Sequence, residues 1–254
     1  MTTPSVDQDS LSAPTAVEVV NLVAVLADNR YYLGRRVSEW IIKAPGLEQG
    51  VACAAIAGEE MGAARVLYGL LERLPAAGRP VPLGTGTDRE RTYSLSFLDR
   101  TFPSWAHVIA ALNLVDPALT LLCQVLAGSP YSPIAQRASR ILDEEMFHEK
   151  FAAGRLHDAS AYPAEKARVQ VVIDEWWPEV LMWFGRDRAM RWPELTEEGI
   201  LPGDADRLPE TFRTTVEGRL AAAGFTLPTT EVPWSSWDPE LRRIDRQRPS
   251  TAGA

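Results

Sequence analysis

Leu142-Asp143-Glu144-Glu145-Met146-Phe147-His148 places a carboxylate and an imidazole three residues apart in a segment that otherwise reads as a core helix. Working outward, Ile134, Ala138, Ile141, Glu145, His148 and Ala152 recur at alternating steps of three and four, which is one face of a helix. Glu145 and His148 are therefore expected to point where apolar side chains point. A buried acid and histidine need partners. Helix bundles that bind a carboxylate-bridged metal pair supply them by giving the metals Glu-x-x-His pairs. Alone, the four-residue pattern arises by chance in many helices, and it gains weight only if other helices bring charge to the same place.

The chain has 254 residues, 46% of them hydrophobic, enough for one large core or one domain with appendages. A net charge of -8 argues against nucleic-acid binding, since the only basic run is the group of four arginines between 242 and 248. The longest apolar run, Val19 to Ala27, is interrupted by Asn21 and is too short to span a bilayer. No charged-then-apolar leader opens the sequence, so no membrane is expected and the cytoplasm is the default. Cys53 and Cys123 stand singly in helical patterns and read as core thiols.

Residues 1–14 read as a disordered tail, 15–228 as the helical domain and 229–254 as a C-terminal extension with a mobile end. Thr15 and Glu18 suggest a capping box, followed by an apolar face of Val19, Val23, Leu26, Leu33, Val37 and Trp40 that should end near Ala44, before Pro45-Gly46. Arg30 interrupts that face. A second helix, about Leu47 to Leu74, carries Cys53, Ile56, Glu60, Ala63, Leu67 and Leu71 on one stripe, with Glu59 one position off it. Residues 75–103 read as a long connection, with a short helix around Ser94 to Leu98. A third helix after Pro103-Ser104 puts Asp116 between Leu112 and Leu119, and Ser132-Pro133 should cap a fourth that contains Glu145 and His148. A fifth follows Pro163 and a sixth runs from about Pro209 to Ala223, stopping at Gly224. No strand pattern, phosphate-cradling glycine loop or Ser-His-Asp arrangement is evident.

Four long helices thus each carry charge in an apolar face: Arg30, Glu60, Asp116, and Glu145 with His148. Any one of these could be a helix drawn slightly out of phase; four near mid-helix suggest one buried polar cluster. His107 and His157 are isolated and read as surface or boundary histidines. The tryptophans of the fifth helix, at helical spacing, read as core before they read as an aromatic-substrate pocket.

These residues resemble the phenylacetic acid catabolic protein family, the ferritin-like oxygenase subunits of phenylacetyl-CoA epoxidase. The similarity covers about residues 19 to 228. It rests on Glu59-Glu60-Met61-Gly62, Ser104-Trp105-Ala106, Leu114-Val115-Asp116, Glu144-Glu145-Met146-Phe147-His148, and Trp176-Trp177-Pro178 with Phe184-Gly185. Asp28-Asn29, Ser38-Glu39-Trp40 and Thr196-Glu197-Glu198-Gly199-Ile200 look more like the family's metal-free companion, so the chain mixes features of both types. The resemblance implies an all-α ferritin-like four-helix bundle with additional C-terminal helices.

The family's catalytic member binds two irons that activate dioxygen, holding them with a Glu, a Glu-x-x-His, an Asp and a second Glu-x-x-His. Carried onto this sequence, Glu60, Asp116, Glu145 and His148 stand at ligand positions, while Arg30 and Ala63 replace a Glu and a His. Arginine has no lone pair to offer a metal and alanine has no donor at all. Three carboxylates and Arg30 sum to -2, which one divalent ion would neutralise beside a neutral His148. The same balance is reached without metal if Arg30 bridges carboxylates, His148 is protonated and the acids share a proton. Both remain open, so the expected cofactor is none, or a single iron or manganese ion.

The first functional expectation is a subunit of a multicomponent aromatic-CoA oxygenase with a degenerate di-iron site, serving a structural or partner-binding role. It would pair with a homologous ferritin-like subunit, in a hetero- or homo-oligomer near a CoA-thioester aromatic substrate. The alternative is a single-metal oxygenase or oxidase using the surviving half-site, with Arg30 holding an anionic oxygen species or a substrate carboxylate. A weaker third is a self-associating ferritin-like protein unrelated to phenylacetate.

Overall fold

The computed structural model describes residues 11–74, 93–143, 145–185, 193–202, 207–229, 232–238 and 243–244. Among these residues there are eight α-helices: α1 (Ala13–Ser38), α2 (Leu47–Leu71), α3 (Trp105–Ala127), α4 (Ser132–Leu142), α5 (Glu145–Ser160), α6 (Pro163–Met182), α7 (Pro193–Glu197) and α8 (Leu208–Ala222). The fold is an all-α ferritin-like bundle. α1 and α2 form its most extensively packed pair, and α3 is central, touching α1, α4, α5, α6 and α8. By length and composition α3 could cross a membrane, but most of it is buried inside the bundle, which makes it a core helix.

The seam of α1 is buried as its periodicity requires, with Val19, Val23, Leu26, Leu33 and Val37 fully enclosed and Arg30 enclosed with them. Gly34 lies one turn beyond Arg30. A Cβ there would sit 3.0 Å from the Glu60 Cβ and 3.0 Å from the Met61 Cγ, so its missing side chain lets α2 approach at the level of Glu60. Trp176, Trp177 and Trp183 are buried, with Trp176 stacked on Phe97 and Trp177 on Phe212. Both cysteines are free and buried. His157 is exposed and His107 half-buried against Ser104 and Trp176.

Several boundaries differ from those expected of the sequence. α1 is capped by Ser12, whose hydroxyl accepts the Thr15 N–H, and not by Thr15. The Ser12 side chain also binds Glu198, tying the start of α1 to the turn after α7. α1 ends at Ser38, and irregular turns carry the chain on to Pro45. Tyr131, not Ser132, occupies the cap position of α4. The expected fourth helix is divided into α4, which ends at Leu142, and α5, which begins at Glu145. On either side Ile134, Ala138, Ile141, Glu145, His148 and Ala152 all remain buried. The C-terminal segment holds a short antiparallel pair, β1 (Trp237–Asp238) and β2 (Arg243–Ile244), too brief for a periodic signal. Residues 1–10, most of the 75–103 connection, Glu144 and the chain end beyond 244 lie outside the described residues.

Candidate functional site

The charged seam residues meet. Arg30 on α1 donates from Nη1 to Glu60 Oε1 of α2 at 2.9 Å, and its Nη2 lies 2.7 Å from Glu145 Oε1 of α5. Nη2 also approaches the Cys123 Sγ at 3.5 Å. His148 Nδ1 faces three carboxylates: Glu60 Oε1 at 3.5 Å, Glu145 Oε2 at 3.6 Å and Asp116 Oδ2 at 3.7 Å. None of these three is a hydrogen bond of ordinary length. The other ring nitrogen, Nε2, lies 2.6 Å from Glu59 Oε2. Periodicity puts Glu59 off the seam and gives it no part in the site, so this contact is one that sequence reasoning missed. The signal was there in the consecutive acids, since a buried ring has two nitrogens to satisfy.

Burial and charge act against each other throughout the cluster. For Arg30 burial disfavours the cation, but Glu60, Cys123, Glu145 and Asp116 outweigh it and hold the guanidinium charged. Burial pushes the Glu145 carboxyl up to about 8 although Arg30 opposes the shift. Burial would lower the pKa of His148, but Asp116 and Glu60 override it and raise it to about 11. Asp116 is lowered because His148 and Arg30 outweigh its burial. At neutral pH these shifts leave Arg30 and His148 positive, Asp116 negative and Glu145 carrying a proton.

Not every polar atom is paired. Arg30 Nε, Glu60 Oε2, Asp116 Oδ1 and His148 Nδ1 are buried without a hydrogen-bond partner among the described residues. Glu60, Asp116, Glu145 and His148 each offer a donor atom, and these four atoms lie within 4.8 Å of one another. Opposite donors about 2.2 Å from a divalent ion stand about 4.4 Å apart, so the set fits one cation with little contraction. It does not fit two. The Arg30 guanidinium lies among the carboxylates, and Ala63, although buried on α2, has no donor atom.

Pro117 follows Asp116 inside α3, where it cannot donate to the helix backbone. Asp116, Pro117 and Glu145 line a groove of about 330 Å³ between α3, α5 and α8, walled also by Leu121, Phe212 and Arg219. The groove therefore borders the cluster at Asp116 and Glu145. The tryptophans of α6 do not line it.

Fold and cluster together define a class, the ferritin-like helical bundles whose inward carboxylates and histidine converge between the helices. The chain belongs to one family within it: residues 1–242 match the model of the phenylacetic acid catabolic protein family. Two proteins of Escherichia coli (strain K12) are similar to it, and both are components of 1,2-phenylacetyl-CoA epoxidase. One is 26% identical over 82% of this chain and 81% of its own length. The other is 27% identical over 76% of this chain and 63% of its own length.

Proposed function

We propose that this chain is a companion subunit of a multicomponent oxygenase acting on aromatic CoA thioesters, in which a charge cluster stands where a two-iron centre would be. Its role is structural and partner-binding, in the cytoplasm, beside a homologous ferritin-like subunit. The observation that carries this reading is Arg30, fully buried and bridging Glu60 and Glu145. The guanidinium supplies positive charge among the acids but cannot ligate a metal. Partner binding is supported by the turn joining α1 and α2, where Ile42 is 91% and Leu47 84% exposed, beside exposed Ile41 and Val51. Likeness to two components of one epoxidase is consistent with that role. Co-expression with the homologous catalytic protein from the same source should give a stable complex by size-exclusion chromatography. Independent elution of both at micromolar concentration would overturn the reading.

A second reading is favoured by the four convergent donors and the unpaired Glu60, Asp116 and His148 atoms. Here Glu60, Asp116, Glu145 and His148 hold one iron or manganese ion, and the chain is an oxygenase or oxidase in its own right. Iron or manganese in such a site supplies redox chemistry with dioxygen. The chain's own residues provide charge balance, with Arg30 and the ion together opposing three carboxylates, two of which, Asp116 and Glu145, border the groove. Both terminal nitrogens of Arg30 are already engaged by Glu60 and Glu145, so it is a poor receptor for a substrate carboxylate. Metal analysis after expression with added iron or manganese separates the readings. Less than about a tenth of an equivalent removes the second, because a neutralised buried site retains its ion.

A further inference from the structure

Two consecutive acids of α2 grip the two nitrogens of one imidazole. Glu60 is fully buried and faces His148 Nδ1, whereas Glu59, one-third exposed, meets Nε2 at 2.6 Å. Neighbours in a helix point about 100° apart, so a single acid could not reach both sides of the ring. We propose that Glu59 is a positioning residue: by accepting the Nε2–H of His148 it fixes the ring with Nδ1 turned toward Glu60, Asp116 and Glu145, making Nδ1 the nitrogen presented to a cation.

The reasoning holds in either charge state of the ring. A neutral imidazole has one N–H and one lone pair. If the N–H goes to Glu59, the lone pair lies on Nδ1 and faces the three carboxylates. In an imidazolium the Nε2–H still goes to Glu59, and the second N–H points inward. Turning the ring over would exchange each nitrogen with a ring carbon, taking Nδ1 away from the three carboxylates and Nε2 away from Glu59. Carboxylates that orient a metal-binding histidine in this way typically change metal affinity by 10- to 100-fold when removed.

The test uses the full chain as wild type, Glu59→Ala and Glu59→Gln. In 15N-labelled wild type, a downfield imidazole N–H proton is expected, assigned to His148 by its absence in His148→Asn. Glu59→Ala should lose it to exchange with water while keeping its helical circular dichroism. Glu59→Gln, whose amide oxygen can still accept, should keep part of it and also carries the test if the alanine variant does not fold. Mn2+ titrations should show 10- to 100-fold weaker binding in Glu59→Ala. This metal arm rests on the one-ion reading; the proton resonance does not. Wild type that binds neither Mn2+ nor Fe2+ therefore ends the one-ion reading and leaves Glu59 to be judged by the resonance. A resonance unchanged in Glu59→Ala, or Mn2+ affinity within twofold of wild type, would overturn the positioning role.

Discussion

Helix α1 carries two buried polar regions in immediate succession, and they are built on opposite terms. Asp28 accepts from the Tyr68 hydroxyl at 2.7 Å and from the Tyr93 N–H at 2.8 Å. Asn29 donates to the carbonyls of Val25 and Tyr93 and accepts from the Leu95 N–H. Further along the same strap, Glu179 of α6 takes the Ser96 N–H and hydroxyl. These groups clamp residues 93–96 onto α1 and α6, with each carboxylate and amide atom paired to a specific donor or acceptor. One residue later Arg30 enters the other region, where four buried atoms have no partner among the described residues. A satisfied buried network costs little and specifies geometry, whereas orphaned atoms are expensive and are retained where charge matters more than fit. The clamp pairs its polar atoms one by one; the Arg30 cluster gathers charge and leaves atoms over.

Arg30→Ala should break that contrast most severely. Removing the guanidinium leaves Glu60, Asp116 and Glu145 facing one imidazole, and urea unfolding of the metal-free protein should show a loss of about 3 kcal/mol or more. If Arg30 occupies a cation's place, Mn2+ should restore more stability to the variant than it adds to wild type. A loss within about 0.5 kcal/mol would mean that the cluster does not depend on the arginine.

Asp28→Ala should cost less, about 1–3 kcal/mol, because it leaves neutral donors unpaired and not charges. Mn2+ should give it no special rescue, and amide exchange should quicken in residues 93–96 with the cluster unaffected. Equal Mn2+ rescue of both variants would erase the distinction between clamp and site.

The two regions also differ in how much of them the sequence disclosed. Helical periodicity located Arg30, Glu60, Asp116, Glu145 and His148, since a charge in an apolar stripe is visible in one dimension. It missed Glu59, because an off-seam residue enters a site only through the direction of a partner's ring. It gave no role to the Asp28–Asn29 clamp or to Glu179, whose partners outside their own helices are backbone groups and hydroxyls 40 to 83 positions away. The division between α4 and α5 was equally hidden, because the seam keeps its face from one to the other.

A pH series sharpens the comparison with a smaller effect. Glu145 binds its proton more tightly when folded, at about 8 against an ordinary value of 4.5, so the folded state carries the extra proton between those values. Stability must fall as pH rises through that window. His148, raised to about 11 from 6.5, contributes fully below 6.5 and loses its contribution as pH climbs toward 11, which has the same sign. Metal-free protein should lose stability between pH 6 and 8, the groups titrating together, and Glu145→Gln should flatten the slope. A bound ion would displace those protons and reverse the trend.

The smallest expected effect isolates what burial contributes. Arg219 and Glu149 form an ion pair at the rim of the groove with an N···O distance of 2.7 Å, the same as between Arg30 and Glu145. The side chains are 16% and 64% exposed at the rim, against 1% and 10% in the cluster. Arg30 also meets the Glu60 carboxyl at 2.9 Å, so Coulomb attraction alone would make comparable not the two arginines but the two matched pairs. Water makes them different, since it screens the rim pair and resolvates Glu149 once Arg219 is gone. Arg219→Ala should therefore change the urea midpoint by an amount equivalent to about 0.5 kcal/mol or less. A loss there approaching that of Arg30→Ala would mean that Arg219 holds α8 against α5 by packing, and that the cost at Arg30 cannot be assigned to buried charge without correcting for its own packing.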